Sequence, residues 1–253
     1  MASHVAKRVL VVAGAGNPAG TGAATARLFA KNGYSIALIG REGSKGANTL
    51  IEEINQGGGQ AKSFAIPSYS HDDMASAWSS IRAHFPKPQY AVRAAVYNVG
   101  SGVWKPFLDI TPQDVQSCLQ ANVAGAFSFS RGAILAFKDN DIEEPNGKRG
   151  SLIFTGATAS TRGNVVTSAF AAAKFGTRAL SQSLAKEFGK ENIHVAHVII
   201  DGVIALDPNA DPEAIKDSRI KPNSIASSYL YLANQDRSAW TWELDRQSFH
   251  CIF

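Results

Sequence analysis

Residues 9–22, VLVVAGAGNPAGTG, decide the fold that the sequence predicts. Four branched apolar residues lead into Gly14, Gly16 and Gly20, and the stretch closes on Gly22 at the start of a helical pattern. This order predicts a strand, a tight turn and the N-terminus of a helix. Glycines let backbone N–H groups approach a phosphate, and the helix dipole adds partial positive charge there. The stretch therefore indicates a site for a nucleotide pyrophosphate, with an ordinary strand-to-helix turn as the alternative.

Length and composition predict one domain over residues 1–253. Of the 253 residues, 45% are hydrophobic, which is enough to bury a full core. The 25 basic and 21 acidic residues give a net charge of +4 without a block of like charge, so we expect no nucleic-acid partner. Cys118 and Cys251 lie outside any metal or redox spacing, which predicts free thiols in a reducing compartment and no metal site. Without an apolar signal core or membrane span, we expect a cytoplasmic protein with no membrane partner.

Strand-like and helical segments alternate along the chain. Short apolar runs, typical of strands buried on both faces, are followed by segments with apolar residues at helical spacing. This alternation predicts an α/β fold in which helices flank both faces of a doubly wound parallel β-sheet. The predicted strands are 9–12, 35–39, 61–66, 94–97, 151–155, 194–200 and an edge strand at 240–244. The longer predicted helices are 71–84, 111–137, 167–186 and 225–234. Prolines and charges predict a mobile lid at about 203–221.

Arg41 follows the second predicted strand, at the edge of the nucleotide site. An acidic side chain at this position would accept hydrogen bonds from the ribose hydroxyls of NAD, whereas an arginine pairs with a 2′-phosphate. The sequence therefore favours NADP(H) over NAD(H), with a solvated surface arginine as the alternative. Asn17, in the glycine turn, offers a second donor to the same phosphate.

Polar residues interrupt the apolar pattern at three further places. A turn sequence at 98–100 follows the fourth strand, at the carboxyl edge where ligands gather in such sheets. Asn122 lies within a long apolar helix, where it is either a satisfied buried amide or a functional group. His194 and His197 are separated by an odd offset on one strand, so they face opposite sides and predict no metal site.

Four features of the sequence together resemble the short-chain dehydrogenase/reductase family over nearly the whole chain. They are the glycine turn, the turn at 98–100, Asn122 within an Asn-Val-Ala-Gly sequence, and Lys174. The resemblance implies a Rossmann-like fold, and it also implies roles for individual residues. Gly16, Gly20 and Gly22 take the places of the three family glycines, Asn98 and Gly100 support the adenosine side, Asn122 holds a water in a proton relay, and Lys174 binds the nicotinamide ribose.

The sequence also departs from the family pattern. The family's tyrosine, which exchanges a proton with the substrate oxygen, belongs four residues before Lys174, and Phe170 stands there. The family's serine falls at Ala157, and Thr158 is the candidate substitute one position on. Further departures are Ala15 in place of a threonine, Pro67 or a neighbour in place of an acidic residue, and Asp201-Gly202 in place of Pro-Gly. The chain resembles a divergent branch that keeps the lysine and carries phenylalanine for tyrosine.

These residues predict an NADP(H)-dependent oxidoreductase of the short-chain dehydrogenase/reductase type. It would transfer hydride to a carbonyl, an imine or iminium, or a conjugated alkene of a partly apolar small molecule, since the cofactor carries the difficult chemistry. The phenyl ring of Phe170 cannot transfer a proton, so the proton-donor arrangement would be non-standard. The candidate donors are Thr158, Asp201, and Lys174 acting through the water at Asn122.

Two other functions remain open at this point. One is a redox-neutral isomerase or cyclase on the same scaffold, in which Arg131, Arg162 or Asp201 would steer charge. The other is a non-catalytic NADP(H)-binding protein.

The remaining expectations concern the pocket and the assembly. The substrate pocket would be built from the loops at 101–107 and 158–166, whose side chains predict a partly apolar space large enough for rings. Two long helices, those bearing Asn122 and Lys174, carry many small residues, and such helices pair subunits in the family that the chain resembles. We therefore expect a homodimer or homotetramer.

Overall fold

The computed structural model describes residues 6–43, 45–144, 146–207 and 218–248. The predicted lid falls largely on 208–217, outside the described residues, and Cys251 also lies outside them. Because the predicted single domain over 1–253 includes these segments, it stays a prediction. Within the described part of the chain, no helix is long and apolar enough to cross a lipid bilayer.

Among the described residues, seven parallel strands form one sheet in the order β3-β2-β1-β4-β5-β6-β7. This confirms the predicted parallel sheet. The strands are β1 (Lys7–Ala13), β2 (Ser35–Arg41), β3 (Ala61–Ile66), β4 (Tyr90–Tyr97), β5 (Gly150–Thr155), β6 (Ile193–Asp201) and β7 (Glu243–Gln247).

Helices cover both faces of this sheet, as the alternation predicts. They are α1 (Thr21–Lys31), α2 (Lys45–Gln56), α3 (His71–His84), α4 (Pro112–Leu119), α5 (Gly125–Lys138), α6 (Ser168–Phe188) and α7 (Pro222–Asn234). Val9 and Val11 of β1 join the apolar core beneath α3, α5 and α6, whereas Leu10 joins the core beneath α1, α2 and α7. Continuous apolar runs are what a strand covered on both faces requires.

The order of the strands reverses at β1, which pairs with β2 on one side and β4 on the other. The chain leaves β1 toward α1 on one face of the sheet and leaves β4 toward α4 and α5 on the other. Such a reversal opens a crevice beyond the carboxyl ends of the strands, where ligands bind in open α/β sheets. The glycine turn and the turn at 98–100 border this crevice.

The single helix predicted over 111–137 is wrong in one respect, because it is interrupted. The segment Gln120–Ala124 forms a π-helical turn between α4 and α5. Helical spacing alone does not predict the interruption, because the apolar residues on both sides of Asn122 keep helical spacing. The Tyr97 hydroxyl donates to the Ala121 carbonyl oxygen at 2.5 Å, and the Asn122 side-chain amide donates to the Cys118 carbonyl oxygen at 2.9 Å. π-Helical turns of this kind recur at functional sites.

The edge strand predicted at 240–244 is also displaced, since β7 starts at Glu243. Aromatic residues favour strands, but here Trp240 stacks on His194 with ring centroids 5.0 Å apart, and Trp242 packs against the Arg178 guanidinium. The ladder with β6 begins only where Glu243 lies opposite His197.

Replacing Gly22 by alanine tests the close approach on which the crevice depends. A Cβ atom at Gly22 would overlap the Gly14 carbonyl oxygen and lie 3.0 Å from the Asn98 amide nitrogen. We expect Gly22→Ala to lower the free energy of unfolding by about 1–3 kcal/mol in urea titrations, because the backbone must shift to relieve the overlap. Gly189→Ala is the matched control, since nothing lies within 4 Å of its added Cβ and its φ is −56°. Equal stabilities of the two variants would contradict this prediction.

Candidate active site

The glycine turn is held against the end of β4 by contacts that only glycine permits. Gly14 has φ +92°, and a Cβ atom there would lie 2.7 Å from the Asn98 backbone carbonyl. The Asn98 side-chain amide donates to the Gly14 carbonyl oxygen at 2.8 Å. Gly20 is the N-cap of α1 and supplies no side-chain cap, so the first backbone N–H groups of that helix remain available to an anion.

A cleft of about 640 Å³ lies beside this turn. Its lining includes Gly14, Gly16, Arg41, Asn98 and Gly100. A second cavity of about 450 Å³ shares the two glycines and the arginine of that set. The structure therefore brings four of the eight residues predicted to bind a cofactor, Gly16, Arg41, Asn98 and Gly100, to one cleft.

Three other predicted cofactor residues take different positions. Gly20 and Gly22 are buried at the start of α1, behind the turn. Asn17 is exposed, and its side-chain oxygen accepts from the Ala19 backbone N–H at 2.9 Å, which closes the turn. Since Asn17 is not among the residues lining either cavity, its contact with a 2′-phosphate stays a prediction.

The sequence analysis missed part of the cleft. Tyr69 follows β3 and lines both cavities. A polar face of α4 also lines the larger cavity, through Gln113, Gln116, Ser117 and Gln120. Their offsets of three, four and seven residues are a helical signal that the sequence carries. The cavity that this polar face lines depends on the turn that follows α4. Helical spacing does not predict that turn.

Lys174 lies at the inner end of the site. Its ammonium donates to the Thr155 carbonyl oxygen at 3.0 Å, and the side chain is buried, with the residue 5% exposed. Among the described residues, no carboxylate lies within ion-pair distance of it. Burial lowers the pKa of Lys174 to about 8, because desolvation disfavours the charged form.

Only part of the hydrogen-bonding capacity of the Asn122 side chain is used. Its side-chain amide donates to the carbonyl oxygens of Ser101 at 2.7 Å and Cys118 at 2.9 Å, whereas its side-chain oxygen is buried without a partner. A Cβ atom placed on Gly100 would lie 3.9 Å from this oxygen and 3.8 Å from the Lys174 nitrogen. A buried acceptor without a donor is costly and marks a place where a polar atom fits. The alternatives left open for Asn122 therefore resolve toward a group with an unused acceptor beside the lysine.

Phe170 occupies the turn of α6 before Lys174. The centroid of its ring is 5.8 Å from the Lys174 nitrogen and 5.3 Å from the Trp104 ring centroid. Neither Phe170 nor Ala157 carries a hydroxyl group. The surroundings of the lysine are thus aromatic on this side, and a hydroxyl donor must come from elsewhere.

Thr158 and Asp201 are paired with each other. The Thr158 hydroxyl donates to the Asp201 carboxylate at 2.5 Å, and Arg162 donates to both oxygens of that carboxylate at 2.9 and 3.1 Å. Gln247 lies at 3.4 Å from one of them. The Thr158 hydroxyl is therefore engaged with the carboxylate, and the carboxylate is ion-paired with Arg162. Arg131, by contrast, is exposed on α5 in a groove with Leu184 and Glu187, away from the cleft.

A model of the family described as short chain dehydrogenase matches residues 7–208. The chain belongs to the short-chain dehydrogenase family. Mouse 3-oxoacyl-[acyl-carrier-protein] reductase is 27% identical over 210 residues, which cover 82% of this chain and 80% of that protein. A short-chain dehydrogenase from Rhodopseudomonas palustris is 31% identical, with a TM-score of 0.77, covering 94% of this chain and 97% of that chain. A metagenomic short-chain oxidoreductase solved in complex with NADP is 22% identical, with a TM-score of 0.76, covering 97% and 98% of the two chains, and shows likeness of fold alone.

In this chain, a partly buried cluster around Glu243 secures the helix that carries the lysine. Arg178, one turn after Lys174, donates to both carboxylate oxygens of Glu243 at 2.6 and 2.8 Å. His197 is fully buried, and burial lowers its pKa to about 4, so the neutral ring donates from Nδ1 to Glu243 at 3.0 Å. Sequence analysis considered His197 only as a metal ligand. Its link to a carboxylate on β7 is a long-range pairing with no local signal.

The pH dependence of stability tests the buried charge of Lys174. Its pKa is about 8 in the folded chain and 10.5 when unperturbed, so the unfolded chain binds more protons between these values. We expect the free energy of unfolding of the wild type, relative to Lys174→Met, to rise by up to about 3 kcal/mol between pH 8 and pH 10.5. Urea titrations across this range provide the measurement. A difference that stays constant with pH would show that the lysine is not charged and desolvated in the folded chain.

Proposed function

We propose that this chain is an NADP(H)-dependent oxidoreductase that transfers hydride to a small, partly apolar molecule and uses Lys174 as its proton source. One observation carries this proposal: among the described residues, Lys174 is a buried cation without an anionic partner, and it lies beside an acceptor on Asn122 that has no donor there. The family to which the chain belongs consists of dehydrogenases and reductases, and the mouse relative is named a reductase.

The residues of the cleft fit a dinucleotide phosphate. Gly14 and Gly16 expose backbone at the cleft, α1 begins without a side-chain cap, and Arg41 ends β2 at the edge of both cavities. An arginine pairs with a phosphate through two hydrogen bonds, which favours NADP(H) over NAD(H). The NADP bound to the metagenomic relative of the same fold is in keeping with this choice.

A bound nicotinamide cofactor would supply or accept the hydride. The chain itself must orient the substrate, exclude water and provide a proton. Thr158 and Asp201 are engaged with each other and with Arg162, so they serve the site by fixing the shape of the loop after β5. Lys174 gives up a proton more readily than an unperturbed lysine because its pKa is about 8, and the Asn122 oxygen offers a place for a water between lysine and substrate.

The redox-neutral and non-catalytic alternatives predict other outcomes. An isomerase or cyclase would form product without consuming NADPH, and a non-catalytic protein would bind NADPH without oxidising it in the presence of any carbonyl, imine or enone. Oxidation of NADPH with one of these substrate classes supports the oxidoreductase.

Arg41→Ala tests the choice of cofactor. We expect it to raise the Kd for NADPH by about 10- to 100-fold, because a charged hydrogen bond contributes about 1.5–3 kcal/mol, and to leave the Kd for NADH nearly unchanged. Titration of cofactor fluorescence gives both constants. Arg82→Ala, which removes an exposed arginine from α3, is the matched control. If wild type binds NADH as tightly as NADPH, the preference for NADP(H) is wrong, and if it binds neither, the oxidoreductase proposal fails.

We also propose that the chain forms a homodimer or homotetramer through α4 and α5. Val115, Leu119 and Phe127 line an apolar groove on these helices, and Phe127 is 57% exposed. Contiguous apolar surface of this kind is typical of subunit interfaces.

Phe127→Asp tests this assembly. We expect light scattering to give a mass of at least twice 26.9 kDa for the wild type and a smaller assembly for the variant, because a buried carboxylate would lack a partner. Tyr231→Asp places the same charge at an exposed aromatic position on α7 and serves as the control. A monomeric wild type would remove the proposal.

A further inference from the structure

Exposed apolar side chains lie on the two loops that follow β4 and β5. Trp104, 62% exposed, and Phe107 belong to the first loop, and Val165, 87% exposed, belongs to the second. Trp104 contacts Phe170, one turn before Lys174, and this aromatic pair with the loop segments joined to it is named the mouth of the site. Exposed apolar surface beside a functional site is typical of a place where a ligand binds.

The two loops are tied together at a strained residue. Val166 has φ +61°, which is unfavourable for a β-branched side chain. Its carbonyl oxygen accepts from the Lys105 backbone N–H at 3.1 Å, so the loop after β5 is fastened to the residue next to Trp104. Backbone strain of this kind concentrates at binding and catalytic sites, where the surrounding structure maintains it.

Trp104 is held in place on its inner side. A Cβ atom on Gly102 would overlap the Trp104 ring, so the indole rests on the backbone there. The Trp104 ring also contacts the Phe170 ring. The two ring centroids are 5.3 Å apart and the ring planes are inclined by 44°. The two rings form an aromatic pair that remains partly exposed. Such a pair offers exposed aromatic surface against which another ring can pack.

The charge beyond this pair is positive. The Lys174 nitrogen is 5.8 Å from the Phe170 ring centroid, and its one hydrogen bond among the described contacts goes to a neutral carbonyl. The nearest charged groups along the loop after β5, Arg162 and Asp201, neutralise each other. A cation entering the site would be repelled by the lysine in a region of reduced dielectric, whereas an oxygen with negative charge would be attracted.

We propose that this mouth binds a flat aromatic molecule bearing a carbonyl or carboxylate oxygen, with its ring against the Trp104–Phe170 pair and its oxygen directed toward Lys174. The inference rests on the proposed function, since it names the substrate class of the same site. Among the acceptors considered for hydride, it selects an aryl carbonyl or an aryl-conjugated enone and rejects a cationic iminium. Reduction of the selected acceptors places negative charge on oxygen, beside the ammonium that would stabilise it.

Binding measured without cofactor tests the inference independently of catalysis. The probes are 2-naphthoate, 2-acetylnaphthalene and 2-naphthylmethylammonium, which share one ring system and differ in charge, together with cyclohexanecarboxylate and dodecanoate. We expect calorimetry to show that the first two bind at least tenfold more tightly than the ammonium and than cyclohexanecarboxylate. Equal affinity for the ammonium, or tighter binding of dodecanoate than of naphthoate, would overturn the proposal, the second in favour of an aliphatic ligand.

Variants assign the binding to the named residues. Trp104→Ala and Phe170→Ala should each weaken 2-naphthoate binding at least tenfold. Phe170→Tyr, which keeps the ring, should bind 2-naphthoate as tightly as the wild type. Lys174→Met should abolish the preference for carboxylate over ammonium. Tyr231→Ala removes an exposed aromatic ring from α7 and should change nothing. Naphthoate binding unaffected by Trp104→Ala would contradict the proposed position of the ring.

The same samples are titrated with NADPH to separate the two proposals and to check folding. If the wild type binds NADPH but binds all the probes with equal affinity, the aromatic site is wrong and the oxidoreductase proposal still holds. If the wild type binds the aromatic probes in the expected order but does not bind NADPH, the oxidoreductase proposal is wrong and the aromatic site still holds. A Trp104→Ala variant that keeps the wild-type Kd for NADPH is folded, so its loss of naphthoate binding reports on the mouth alone.

Discussion

Thr155, at the end of β5, joins the two halves of the site. Its hydroxyl donates to the Asn98 side-chain oxygen at 2.9 Å and lies 2.7 Å from the Tyr229 hydroxyl, while its carbonyl oxygen accepts from Lys174. Asn98 in turn holds the glycine turn through Gly14. A single residue thus fixes the distance between the glycine turn and the lysine. Because hydrogen bonds in a chain polarise and orient one another, displacement at either end is transmitted to the other.

The charges around the cleft fall into two groups. Asp201 with Arg162, and Glu243 with Arg178, are ion pairs whose partners hold loops and helices together. Among the residues that the structure describes, no carboxylate lies within ion-pair distance of Lys174. A desolvated charge left unpaired reduces stability, and such groups concentrate at functional sites. Burial lowers the pKa of Lys174 to about 8, so this group gives up its proton more readily than an exposed lysine does.

The sequence alone predicted the sheet, the crevice and part of its lining. Buried strands are continuous apolar runs, and the glycine turn, Arg41 and Asn98 lie directly after such runs, so local spacing places them at one edge. Features that depend on distant partners were not predictable. The π-helical turn at Asn122 and the start of β7 at Glu243 follow from contacts made across the fold. The same holds for the pairing of Thr158 with Asp201, which turned two candidate acids into a structural contact.

The clamp formed by Glu243 has a consequence for biosynthesis. Gly14, Asn98, Asn122 and Lys174 all precede it in the chain, yet Arg178 and His197 find their shared carboxylate only on the last strand of the sheet. While the chain is still being made, the helix bearing the lysine can pack on the core through Leu180 and donate to Thr155 through Lys174 before residue 243 is added. A nascent chain stopped short of residue 243 would carry the whole cleft but lack the ion pair between Arg178 and Glu243.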